Sequence, residues 1–182
     1  MKKLISAAAV CLLAAGFVFA GELKSGLPVG EKVPAFNVRD ITGPSKGDTL
    51  CYRCKYGSRP VVTIFTREVN DSVTELISKI DGIVGKNKDA KMAAFVVVIS
   101  EDADKVEKQL EKIAKDKNIK NVPLTIIEGT TGPENYDLNK DAAVTVMMWV
   151  DSKVKVNHAF EKPTLDAKAI EKLVAETKKI LE

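Results

Sequence analysis

The sequence predicts an α/β/α sandwich built on a central mixed sheet, and three observations carry that prediction. The runs RPVVTIFT (residues 59–66) and MAAFVVVIS (residues 92–100) are apolar on consecutive positions and about as long as strands, the pattern of strands covered on both faces. Each is followed by an amphipathic stretch of helical period, and alternating β and α units call for parallel strands joined by right-handed crossovers. Near the C-terminus two further strand-like segments meet at Asp151-Ser152, which adds an antiparallel hairpin to the sheet.

Residues 1–20, MKKLISAAAVCLLAAGFVFA, join a basic start to an apolar run and end in small residues at A-x-A-like positions, which is the layout of a secretory signal peptide. Cys11 falls inside it and follows Val10 rather than the small residue that lipoprotein processing wants, so it leaves with the peptide. Residues 21–32, GELKSGLPVGEK, are rich in Gly, Pro and Lys and read as a flexible lead-in. One domain is expected over residues 33–182. After RPVVTIFT, the run Asn70, Asp71, Ser72 supplies helix caps, with Ser72 and Glu75 at capping-box spacing. Val73, Leu76, Ile77, Ile80 and Val84 then mark one helical face, and Gly85 is a stop signal. Val106, Leu110, Ile113 and Ala114 mark a second face. Pro123 to Ile127 reads as a strand with its proline first, where a missing N–H is tolerated. A polar loop over 128–142 leads to strands at Ala143–Val150 and Lys153–Phe160, and Thr164 is expected to cap a last helix that turns Ile170, Leu173, Val174 and Leu181 inward.

The 28 basic residues fall to 26 when Lys2 and Lys3 are cleaved away, against 25 acidic ones. So small a net charge gives no global field to draw nucleic acid or anionic lipid, and no second apolar stretch after the leader approaches a membrane span. The expected location is a bacterial periplasm or the extracellular space. There the two remaining cysteines, Cys51 and Cys54 of LCYRCKYG, can persist as a disulfide.

The segment VGEKVPAFNVRDITG (residues 29–43), the strand RPVVTIFT and the later stretch NYDLNKDAAVTVMMW (residues 135–149) together resemble the thioredoxin-like superfamily, in its redoxin branch of peroxiredoxins and TlpA/ResA-type proteins. The resemblance implies a working cysteine just beyond the central strand, at the start of the first helix. Unpaired N–H groups and the helix dipole lower a thiol's pKa at that place. Here that window is Val69, Asn70, Asp71, Ser72 and Val73, without sulfur, and no cysteine follows residue 54. The cis-proline found in many members would fall near Val144 or Thr145, where there is none.

Cys51 and Cys54 instead stand before the strand. Pro60 to Thr66 at about 3.3 Å per residue separates its two ends by about 20 Å, so the pair is expected far from the usual site, in a loop without a helix N-terminus. Three roles stay open: an oxidised or exchangeable pair with Arg53 and Lys55 tuning the thiols, half of a metal site, or two free thiols. The single histidine, His158, is expected to pack on one strand face with Val154, Val156 and Phe160. Lys55 stands where covalent haem attachment requires histidine, and Asp137, Asn139 and Asp141 begin a calcium-loop pattern that Ala142 and Met148 break. No cofactor or metal is therefore expected. Two functions follow: a non-catalytic module that binds a protein partner and carries a Cys51–Cys54 disulfide, or a thiol-disulfide or antioxidant-type redoxin acting through that displaced pair. The first is preferred here.

Overall fold

A computed structural model describes residues 23–162 and 164–182. The leader, its Cys11 and the first two residues of the lead-in lie outside the described residues. One sheet of seven strands runs through the molecule in the order β2-β1-β5-β4-β3-β6-β7. Its parallel centre is β3 (Val61–Thr66), β4 (Ala93–Ser100) and β5 (Leu124–Glu128). On one side β1 (Val38–Asp40) and β2 (Thr49–Leu50) continue it antiparallel, and on the other β6 (Val144–Val150) and β7 (Lys153–Phe160) do. The expected β5 is shifted by one residue, leaving Pro123 just outside it.

Alternation along the central strands divides the core in two. Val62 and Ile64 of β3, with Ala94, Val96 and Val98 of β4, face a cluster covered by three helices. These are α2 (Asp71–Lys86), α3 (Ala103–Asp116) and α4 (Ala167–Glu176), which bring in Leu76, Ile77, Ile80, Leu110, Ile170 and Leu173. Val61, Phe65, Phe95, Val97 and Trp149 face a second cluster. It is closed by the one-turn helix α1 (Tyr52–Tyr56), the loop carrying Tyr136, and the N-terminal segment with Leu27 and Val33. That segment is the main correction to the expected layout, because order begins well before Val33. Ser25 and Leu27 are buried, the N–H of Gly26 donates to Asp137 O and that of Gly30 to Val154 O.

The helix ends show local chemistry overruling single-residue signals. Asn70 caps α2, its Oδ1 accepting from the N–H of Val73 at 3.0 Å. Gly85 does not stop α2, which closes at Asn87, whose N–H and Nδ2 both donate to Ile83 O. Asp166, not Thr164, caps α4 by accepting from Ala169 N at 2.8 Å, while the Thr164 hydroxyl donates to Glu161 O. The Asp151-Ser152 turn is as expected, with φ of +52° and +61° at its two residues, the left-handed pair of a type I′ hairpin.

An irregular register at Met148/Trp149, opposite Val156 and Val154, alters the β7 faces. Val156 joins the helical cluster and Val154 the other, so His158 does not share a face with both. His158 is half-buried, its Nε2 lying 2.6 Å from Glu176 Oε2, while Lys179 donates to Glu176 Oε1 at 2.9 Å. Burial works against the charge on Glu176, but the hydrogen bonds from Lys179 and His158 outweigh it and hold the carboxyl below its ordinary value. A carboxyl lowered on folding adds stability that is complete above its unfolded pKa and lost as pH falls through the folded one. Thermal midpoints of the wild type and Glu176→Gln are therefore expected to differ near neutral pH and to converge as pH falls below the ordinary carboxyl range.

Candidate functional site

Cys51 and Cys54 are joined as a disulfide, with their Cα atoms 5.2 Å apart. The bond closes α1, and Cys51 is that helix's own N-cap: the N–H of Cys54 donates to Cys51 Sγ at 3.0 Å. The expectation of a loop without a helix start is thus corrected, although α1 is a single turn of five residues. Tyr52 and Tyr56 hold it down. They lie one turn apart on the same side, and their rings pack on Phe95 with centroids at 5.5 and 6.1 Å. Around them the exposed Cys54 and Lys55 face solvent and Cys51 is half-buried.

Beneath the disulfide lies a polar network that pattern reasoning passed over. Asp40 is fully buried and accepts from Gly43 N at 2.7 Å, Ser45 N at 2.8 Å and the Tyr52 hydroxyl at 2.7 Å. Burial, and then the Asp40 carboxylate, push the Tyr52 phenol far above its ordinary range, so its proton stays put. Gly43 has to be glycine here, since a Cβ would come within 2.5 Å of the Tyr52 hydroxyl and 2.6 Å of Asp40 Oδ2. Signals for this network existed in the tyrosines spaced four apart about the CxxC and in the Gly-Pro-Ser-Lys-Gly turn before it.

Arg53 and Lys55 share the turn with the sulfurs, but each also has a partner elsewhere. Arg53 Nε donates to Val33 O at 2.8 Å, and Lys55 Nζ reaches Ser45 Oγ at 3.4 Å and stands over the Tyr52 ring.

The turn with the cysteines and the start of α2 are separated by the sheet itself, because Tyr52 and Tyr56 belong to one cluster and Val73 to the other. At the start of α2 there is no sulfur, since no cysteine follows residue 54. Two clefts, of about 200 and 270 Å³, flank Asn70. The first is lined by Ser72, Val144, Lys162 and Leu165 among others, the second by Arg67, Ser100, Lys105 and Gln109. Glu68, at their shared rim, pairs with Lys162. Thr145, where the resemblance would set a cis-proline, has its hydroxyl 2.7 Å from that of Ser25. In the loop before β6, Asn139 Oδ1 accepts from Asp141 N and its Nδ2 donates to Lys24 O, so Asn139 organises backbone. No group of three or more metal-binding side chains occurs among the described residues, nor a helix long and apolar enough to cross a membrane.

No protein-family model matches the chain, and no curated protein matches it in sequence. Solved structures do. A candidate protein disulfide isomerase from Bacteroides thetaiotaomicron superposes with a TM-score of 0.65 at 18% identity, over 87% of this chain and 94% of that one. The chain has the thioredoxin-like fold. A thiol peroxidase from Chromobacterium violaceum matches with a TM-score of 0.57 at 12% identity, over 87% and 92% of the two chains. The peroxidoxin BcpB from Mycobacterium tuberculosis does so at 0.54 and 19%, over 84% and 97%. The redoxin resemblance and the expected sandwich therefore hold at the level of fold; the Cys51–Cys54 disulfide is present and sits on the face opposite α2.

Proposed function

We propose that this is an exported, non-catalytic thioredoxin-fold module that binds a protein partner and uses Cys51–Cys54 as a local staple. The observation that carries the reading is Asn70: at the place where the fold's chemistry would need a thiolate, an amide side chain spends its oxygen on the N–H of Val73. The two clefts beside it offer a partner polar and apolar walls. Export rests on the leader over residues 1–20. Fractionation of expressing cells should recover a chain beginning at Gly21 outside the cytoplasm.

A second reading, disulfide exchange through Cys51 and Cys54, is favoured by one contact. The N–H of Cys54 on Cys51 Sγ would stabilise a thiolate there, and Arg53 and Lys55 add positive charge on the same turn. Insulin reduction with dithiothreitol and consumption of hydrogen peroxide separate the two readings. Rates equal to the protein-free blank, unchanged in Cys51→Ser and Cys54→Ser, are expected. A rate above the blank that either serine abolishes would establish the second reading instead.

A further inference from the structure

Residues 24–33 form a strap across the sheet face that also carries α1. At one end Ser25 Oγ meets Thr145 Oγ1 and accepts from Asn139 N at 3.0 Å, and Asn157 Nδ2 donates to the carbonyls of Ser25 and Leu27. Along its course the N–H of Leu27 points at Met147 Sδ, 3.3 Å away. At the other end the N–H of Val33 donates to Ser152 O at 2.9 Å, and its carbonyl accepts from Arg53 Nε. Arg53 is one of the two residues enclosed between Cys51 and Cys54. A helix of five residues does not hold its shape in water by itself. The cross-link and the two buried tyrosines are what fix Arg53 in the position that reaches Val33.

We propose that the Cys51–Cys54 bond is a redox-operated latch on this strap. Oxidised, it fixes Arg53 against Val33; reduced, it lets Arg53 swing away, and the Leu27–Val33 stretch, left to its backbone bonds with Ser152 and Val154 and to Asn157, opens more often. The step needs a dithiol reductant. One of its thiolates attacks the sulfur of Cys54, whose residue is the exposed one. The Cys51–Cys54 bond breaks, and the electron pair goes to Cys51 Sγ, where the N–H of Cys54 is already placed to receive the charge. The second thiolate of the reductant then releases Cys54 from the mixed disulfide. Two electrons and two protons pass to the cysteines, and the reductant becomes a disulfide. The inference goes beyond the binding-module reading and does not need a substrate.

Hydrogen exchange read by mass spectrometry, on the protein with and without dithiothreitol, tests the latch. Amides of Leu27–Val33 are expected to exchange about tenfold faster after reduction, the size of one lost side-chain hydrogen bond, with β4 unchanged. Arg53→Met, which keeps the aliphatic stem and loses the donor, should show the fast exchange while still oxidised and gain little more on reduction. Equal exchange of the strap in oxidised and reduced wild type would overturn the latch. So would an oxidised, folded Arg53→Met that exchanges like wild type. Neither result depends on insulin or peroxide turnover, so the latch and the functional reading can fail separately.

Discussion

Asp40→Ala is expected to lower the free energy of unfolding by about 4 kcal/mol, read as a shift in urea midpoint at constant slope. The carboxylate is fully buried and collects three donors, so its removal leaves the part-buried amides of Gly43 and Ser45 and the buried Tyr52 hydroxyl without their acceptor. Each unpaired buried donor costs about 1–3 kcal/mol. Tyr52→Phe removes one donor of the three and leaves both turn amides served, so it should cost only about 1 kcal/mol. If both variants cost the same, the turn amides do not depend on Asp40 and the network is a fiction of proximity. Because Tyr52 adjoins Cys51, Asp40→Ala should also make the disulfide easier to reduce, since the turn that holds the sulfurs together loses its main anchor.

The second large effect is expected at Asp81, on α2 and nearly buried. Its Oδ1 accepts from the backbone N–H groups of Lys120, Asn121 and Val122 at 3.0, 2.6 and 3.0 Å, and its Oδ2 from Asn121 Nδ2 at 3.1 Å. One carboxylate thus fixes the loop that feeds β5 into the sheet. Asp81→Ala should cost about 3–5 kcal/mol, and Asp81→Asn, which keeps the Oδ1 acceptor for the three backbone N–H groups but sets a donor against Asn121 Nδ2, about half of that. Urea denaturation checks both, and an alanine variant within about 1 kcal/mol of wild type would mean that water serves the loop equally well.

Both carboxylates mark what was hard to read in the sequence. The central strands and α2 to α4 were legible because continuous apolar runs and helical spacing are local signals, and the hairpin was legible from Asp151-Ser152. Asp40 and Asp81 drew no reading from the sequence; Asp81's loop partners lie some forty positions away along the chain, where no window of residues reports them. The β1–β2 pair and α1 were missed because three residues, two residues and one helical turn are too short to show a period. Cys51 is also not among the residue types that announce an N-cap. The strap was misread through composition. Its Gly and Pro suggested looseness, yet Gly26 holds φ at +85° where a Cβ would come within 2.9 Å of the Thr145 methyl. At the candidate site the absence of sulfur after Cys54 was plain from residue order. Which face of the sheet the cysteines occupy was not, because that follows from how a five-residue turn doubles back over Phe95.

The outer margin of β7 has one more consequence. A strand at the rim of a sheet offers unpaired amides and carbonyls to any neighbouring molecule, and proteins blunt such rims to stay dispersed. Here Gly30 and Glu31 exchange backbone hydrogen bonds with Val154, Lys32 bridges to Lys153, and the exposed ammonium groups of Lys153 and Lys155 follow along the same strand. The first part of the rim is thereby occupied from within and the next flanked by charge, an arrangement of the kind that disfavours edge-to-edge pairing.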